Sequence, residues 1–428
     1  MNHIAIYLPA NANKALVMGL ICKHPLLQAY NIFNNNAAIF SSEALDQFLK
    51  EEFLHGETGF DTGFNRPLHT MSSGEQKKVL LQFLLSQNPA YFIVDEVYDH
   101  LDIATQAVVL KKFESIAQTI PIIQIFHRKK EIFPFINHYF SYHNNDLIAH
   151  VSLEHLLLDI KGQVHAGTDL TLPLPLTTFN IPLNPLVALI NVSVSYDGRP
   201  IVKDINWTIN AGEFWQLIGP NGSGKTTILS LITGDNPKGY GQELYLFGKK
   251  KGSGETVWDI KQKIGYFNAS LTQHFSRQDS IEKMIISGFN DSIGLYIKPT
   301  DQQIRLAQEW LHFIQLYPQR NKAIQFLTLA QQRMVLIARA MVKHPPLLIL
   351  DEPTAGLDDA SAALIITMIQ QIVNQSTTTI LYVSHSMEEG LTPTSIFELS
   401  PSEFGIKIRY IKTPKKGNTQ YGRFLLIA

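Results

Sequence analysis

Gly219-Pro220-Asn221-Gly222-Ser223-Gly224-Lys225-Thr226 lies between two apolar runs, at 214–218 and 228–232. The spacing G-x-x-x-x-G-K-T, set on a strand, a turn and a helix, is that of a phosphate-binding loop. Its glycines permit a tight turn and leave no Cβ between backbone N–H groups and a phosphate, while the positive end of the following helix faces the anion. Lys225 reaches the β- and γ-phosphates as a point charge, and the Thr226 hydroxyl is a ligand for Mg²⁺. The candidate nucleotide-binding set here is Gly219, Asn221, Gly222, Ser223, Gly224, Lys225, Thr226 and Thr227.

Composition bounds what surrounds this loop. A chain of 428 residues that is 45% hydrophobic can bury two ordinary cores. Its formal net charge of −1 gives no footprint for nucleic acid or an anionic membrane surface. One cysteine, Cys22, excludes an intrachain disulfide framework and a cysteine-based zinc site. No apolar run approaches the roughly 18 to 20 residues that span a bilayer, so a cytoplasmic location is expected. Any pore would belong to another polypeptide.

One series of elements occurs twice. In the second half Leu347-Leu-Ile-Leu350 ends in Asp351-Glu352-Pro353, followed by Gly356-Leu357-Asp358 and later by Thr379-Ile-Leu-Tyr-Val383 ending in Ser384-His385. In the first half Tyr91-Phe-Ile-Val94 ends in Asp95-Glu96, followed by Leu101-Asp102 and by Ile122-Ile-Gln-Ile-Phe126 ending in His127. A helix start precedes each acidic pair: Ser72-Ser-Gly-Glu75 in one half, Thr328-Leu-Ala-Gln331 in the other. Both read as capping boxes. Short, non-alternating apolar strands between helical patterns predict an α/β fold with parallel sheets covered on both faces and chemistry at the strands' carboxyl ends. Domains are expected over 1–150 and 186–428, joined by a linker over 151–185.

Taken together these motifs resemble the ATP-binding cassette family, in family order and over nearly the whole chain. Within it the segments 246–266 and 291–296 are similar to the ModF/PhrA-like twin-cassette subgroup of molybdate-transport and photorepair type. The resemblance implies two P-loop ATPase domains in tandem, each with a helical signature subdomain, with ATP and Mg²⁺ as cofactors. It implies that Asp351 helps hold Mg²⁺ with Thr226, that Glu352 accepts a proton from the attacking water, and that His385 senses the γ-phosphate. Tyr196 would stack on adenine. In the family the signature helix of one cassette faces the nucleotide held by the other, a role for which Ser72, Gly74 and Glu75 fit.

The halves have diverged in complementary places. Aligning Ile4-Ala-Ile-Tyr-Leu8 with the strand before the second loop sets Asn11-Ala-Asn13-Lys14-Ala15 against Gly222-Ser-Gly224-Lys225-Thr226. Lysine survives there, but the glycines and the metal-binding hydroxyl do not, and no stretch before Ile4 corresponds to that around Tyr196. In the second signature helix Ala330 stands where glycine is expected. Both losses belong to one composite site, which leaves one competent site, formed by Lys225's loop and Ser72's helix.

About 35 linker residues, with Pro173, Pro175, Pro182 and Pro185, reach roughly 30 Å. Millimolar effective concentration then favours pairing of the two cassettes within one monomeric chain. Where the family carries a glutamine that couples Mg²⁺ to a membrane partner, this chain has Ala269 followed by Ser270, with Gln273 nearby. The resemblance thus implies an ATP-hydrolysing subunit of an import system for molybdate or a related oxyanion, peripheral to an integral-membrane permease. The competing readings are an ATPase without a membrane partner, in stress or repair, and a regulatory ATP binder with little turnover. The tail from Ser395 is expected to form an edge strand pair with a solvated basic face.

Overall fold

The computed structural model describes residues 1–9, 12, 14–21, 23–30, 36–55, 67–99, 101–162, 171–179, 185–269, 279–402 and 405–412. Asn11, Asn13, Cys22, Pro182, Ser270 and Gln273 lie outside the described residues, as does the tail beyond Lys412. The chain forms two compact units, one of Met1–Ala166 with Ala355–Ala362, the other of Gly167–Thr354 with Ala363–Ala428.

Among the described residues six strands build the first unit: β1 (Ile4–Tyr7), β2 (Ala37–Phe40), β3 (Tyr91–Val94), β4 (Ile122–Phe126), β5 (His138–His143) and β6 (Asp146–His150). They lie in the order β2-β3-β4-β1-β5-β6, parallel except for the antiparallel β5–β6 hairpin. Every residue of β1, β3 and β4 is buried, which is why these strands are apolar without alternation; the edge strand β2 alternates. Aromatic side chains fill one face, where Phe113 packs against Phe40, Phe92 and Phe133.

Among the described residues of the second unit ten strands make two sheets: β7 (Val187–Tyr196), β8 (Arg199–Ile209), β9 (Phe214–Ile218), β10 (Glu243–Leu246), β11 (Lys249–Lys250), β12 (Ile264–Asn268), β13 (Leu347–Asp351), β14 (Thr379–Ser384), β15 (Ser395–Ser402) and β16 (Gly405–Lys412). The antiparallel sheet runs β11-β10-β7-β8 and the larger one β12-β13-β14-β9-β15-β16. Trp207 stacks on Phe397 with ring centroids 4.2 Å apart, joining the two sheets in one apolar core. As the tail's composition predicts, β16 is an edge strand, paired antiparallel with β15.

Substituting β2, β3, β4, β1, β5 and β6 for β12, β13, β14, β9, β15 and β16 turns one six-stranded order into the other. The correspondence reaches single residues. Glu96 and Glu352, each just beyond an apolar strand, both adopt left-handed backbone, at φ 50° and 52°. Five residues after each capping Ser72 or Thr328, a buried cation ties its helix to the loop beyond that strand. Lys77 Nζ donates to the carbonyls of Glu96, Val97 and Asp99, while Arg333 Nη1 donates to Pro353 at 2.6 Å.

Candidate functional site

In the second unit the carboxyl end of the sheet opens on a cavity of about 420 Å³. It is lined by Pro220, Asn221, Gly222, Ser223, Gly224, Lys225, Thr226 and Thr227 from the loop and helix, and by Asn268, Ala269, Asp351, Glu352 and His385 from neighbouring strand ends. Parallel pairing explains the convergence: β13 lies between β12 and β14, and β14 beside β9, so four carboxyl ends meet at one edge. Gly222 and Gly224 hold φ at 74° and 82°, a region unfavourable to residues with a Cβ. At Gly219 an added Cβ would lie 2.5 Å from Ser223 Oγ and 2.9 Å from the Leu399 carbonyl.

The polar groups are arranged around Lys225, which is buried at the helix start. Its Nζ donates to the carbonyls of Gly219 at 2.5 Å and Pro220 at 3.0 Å, and lies 3.2 Å from His385 Nδ1. His385 Nε2 is 2.6 Å from Glu352 Oε1, so a chain of contacts links lysine, histidine and glutamate. Asp351 accepts from Asn268 Nδ2 at 2.9 Å and Tyr266 Oη at 3.2 Å. Burial, with Glu352 alongside, pushes its carboxyl above the usual carboxylate range.

These features fit a nucleotide and a hard cation. Ser223 Oγ is buried with no hydrogen-bond partner among the described residues, inside a loop whose glycines keep Cβ atoms out of the cradle. The Asp351 carboxylate, met by neutral donors, and the exposed Thr226 hydroxyl are oxygen ligands of the type Mg²⁺ takes. Glu352 is a carboxylate in reach of a histidine, suited to accept a proton.

Tyr196 stands apart from that lining. Its ring is 42% exposed, enough to offer a face to a base, while its hydroxyl accepts from Asn236 Nδ2 at 2.9 Å. Tyr196→Ala is expected to weaken ATP affinity by about 1 to 3 kcal/mol, the range for losing a stacking ring under a base, with Phe restoring most of it. Fluorescent-nucleotide titration checks this, and because Phe also lacks the hydroxyl, full recovery would assign the effect to the ring rather than to the Asn236 contact.

In the first unit the predicted capping box is formed. Ser72 N donates to Glu75 Oε2 at 2.9 Å and Glu75 N to Ser72 Oγ at 3.4 Å, opening the helix Ser73–Ser86. Gly74 has a packing reason of its own, since a Cβ there would lie 2.9 Å from the Thr105 methyl. Thr328 and Gln331 form the matching box in the second unit, with Ala330 buried. Lys14 opens the helix Lys14–Ile21 and meets Asp95 and Glu96. Sequence reading did not single out Asn268, Tyr266 or Ile201, which lines the cavity. A register signal existed for the first, because Asn268 pairs with Asp351, but it becomes visible only once β12 is aligned with β13.

The chain is similar to known ATP-binding proteins of transport systems. The ABC transporter family model matches residues 202–355. Over 346 residues the chain is 38% identical to the ABC transporter ATP-binding protein ModF of Escherichia coli K12, covering 78% of this chain and 71% of that protein. It is 31% identical over 208 residues to the zinc uptake system ATP-binding protein ZurA of Listeria innocua, covering 48% of this chain and 78% of ZurA. Among solved structures, cbiO1 of Clostridium perfringens, part of an ABC transporter complex, matches 50% of this chain and 84% of its own at 22% identity and a TM-score of 0.45.

Proposed function

This chain belongs to the ABC transporter ATP-binding family and is an ATPase, and from that premise we propose that it works as a twin cassette with a single competent nucleotide site. The observation that carries this reading is the difference between the two lysines. Lys225 sits in a glycine loop with a hydroxyl after it and carbonyls beneath it, whereas Lys14 is followed by Ala15 and engaged by carboxylates.

In this reading the loop 219–227 holds the ATP phosphates, Thr226 and Asp351 hold Mg²⁺, and Tyr196 takes the adenine. The cation, when bound, supplies charge stabilisation to the transferring phosphoryl group. Glu352 takes the proton of the attacking water, and His385 positions Glu352 while reading the phosphate. The N-terminal half contributes Ser72, Gly74 and Glu75, the capped helix start, to the same nucleotide. The paired losses at Lys14's loop and Ala330 support this crossed pairing, since both fall in the other composite site.

The reading extends to transport: an ATP-hydrolysing subunit of an import system for molybdate or a related oxyanion, as the subgroup resemblance implies. Among the described residues no helix is long and apolar enough to cross a membrane, so a pore would come from a separate permease. Purification from native membranes tests this step. A stoichiometric integral-membrane partner is the expected result, whereas a pool that stays wholly in the soluble fraction would favour an ATPase acting without a permease.

A further inference from the structure

Within the first unit, Lys14 Nζ lies 2.6 Å from Asp95 Oδ2, 3.3 Å from Glu96 Oε1 and 3.6 Å from Glu43 Oε1. On the other side of Asp95, His127 Nε2 is 3.5 Å from Oδ1, while His127 Nδ1 is 2.8 Å from the Leu8 carbonyl. Asp95 is 1% exposed. We propose that the Lys14 ammonium is the resident cation of this site, holding the place among Asp95, Glu96 and His127 that a divalent cation would otherwise take.

Three observations carry the inference. A carboxylate as buried as Asp95 needs a countercharge, because desolvating it alone is costly. One ligand atom from each of Asp95, Glu96 and His127 lies within 4.8 Å of the others, close enough for a single ion, and this mixed N/O set suits a first-row divalent such as Mn²⁺, Co²⁺ or Zn²⁺. The second unit supplies the contrast: Asp351 accepts from Asn268 and Tyr266, both neutral, and Lys225 turns to backbone carbonyls.

Tethered to the chain, the ammonium stays beside Asp95 without the loss of translational freedom that a free ion incurs on binding. An incoming divalent ion would have to displace the Lys14 ammonium from Asp95 and Glu96.

The inference deepens the one-nucleotide reading, from which it takes the matching of Lys14 to Lys225, but its test runs without nucleotide so that the two fail separately. Mn²⁺ is titrated into the nucleotide-free full chain and followed by electron paramagnetic resonance. Lys14→Ala is expected to bind one more equivalent of Mn²⁺ than the unsubstituted protein, and Lys14→Ala/Asp95→Asn to lose it again. Equal Mn²⁺ binding with and without Lys14 would overturn the proposal. Should Lys14→Ala fail to fold, reductive methylation of the unsubstituted protein decides: Lys14 is expected to label far more slowly than exposed Lys111 and to speed up in Asp95→Asn. Labelling of Lys14 as fast as Lys111 would equally overturn it.

Discussion

Lys225→Ala is expected to lower steady-state ATP turnover by about three orders of magnitude or more, the scale on which removing a phosphate-directed cation acts in phosphoryl-transfer enzymes. The side chain is buried and its Nζ already lies among the Gly219 carbonyl, the Pro220 carbonyl and His385. Alanine leaves those acceptors without their donor and leaves phosphate without a cation. Because the Asp351–Asn268 contact does not involve Lys225, the fold should persist and the loss should be one of nucleotide handling. The matching change in the first unit, Lys14→Ala, should alter turnover by no more than a few-fold, since Asn11, Asn13 and Ala15 supply neither the glycine cradle nor the metal-binding hydroxyl. Phosphate-release assays on the two variants side by side check the pair, and comparable losses in both would refute a single working phosphate loop.

Ser72→Arg is expected to abolish turnover on a similar scale while sparing ATP binding. Ser72 belongs to the N-terminal unit, whereas the loop, Asp351 and Glu352 belong to the other. In the proposed crossed pairing, a bulky cation at the capped helix start would block the approach of its N–H groups to the γ-phosphate without touching the phosphate loop, Asp351 or Glu352. Loss of the cap itself also costs about 1 kcal/mol of helix stability, since Ser72 Oγ accepts from Glu75 N. Melting temperature separates the two effects. A small shift with lost turnover and retained nucleotide affinity supports a part in the chemistry, whereas unchanged turnover would remove the N-terminal helix from the reaction. Ala330→Gly, in the helix of the vestigial pairing, should leave the rate within a few-fold.

Much of this architecture was legible because it rests on local rules. The phosphate loop is a short motif whose glycines have one backbone job, and Gly222 and Gly224 adopt the positive φ that the motif implies. Both capping boxes could be read from a three-residue spacing and both are formed. The twin series of strand-end residues predicted two parallel sheets, and their strand orders coincide.

What escaped the sequence depends on register and on contacts across long separations. Nothing local announces that Asn268 and Tyr266 hold Asp351, since the three meet only through the pairing of β12 with β13. Gly74 was read for what it could offer a phosphate, yet it also sits where a Cβ would crowd the methyl of Thr105, some thirty positions away. Tyr196 was assigned through the family resemblance, which carries no information about its bond to Asn236. Alignment showed that Lys14 had lost its glycines; it could not show that the side chain had turned to Asp95, because that exchange is settled by burial and charge in the folded unit.

Calorimetric titration of Mg-ATP into a Glu352→Gln variant tests the central claim most directly, because the substitution removes the proposed proton acceptor, is expected to stop turnover from blurring the isotherm and leaves the phosphate loop and Asp351 in place. One competent loop per chain predicts a stoichiometry of about one nucleotide per polypeptide, abolished by adding Lys225→Ala and unaffected by adding Lys14→Ala. Two comparable high-affinity sites per chain, or a single site that vanishes with Lys14, would contradict it.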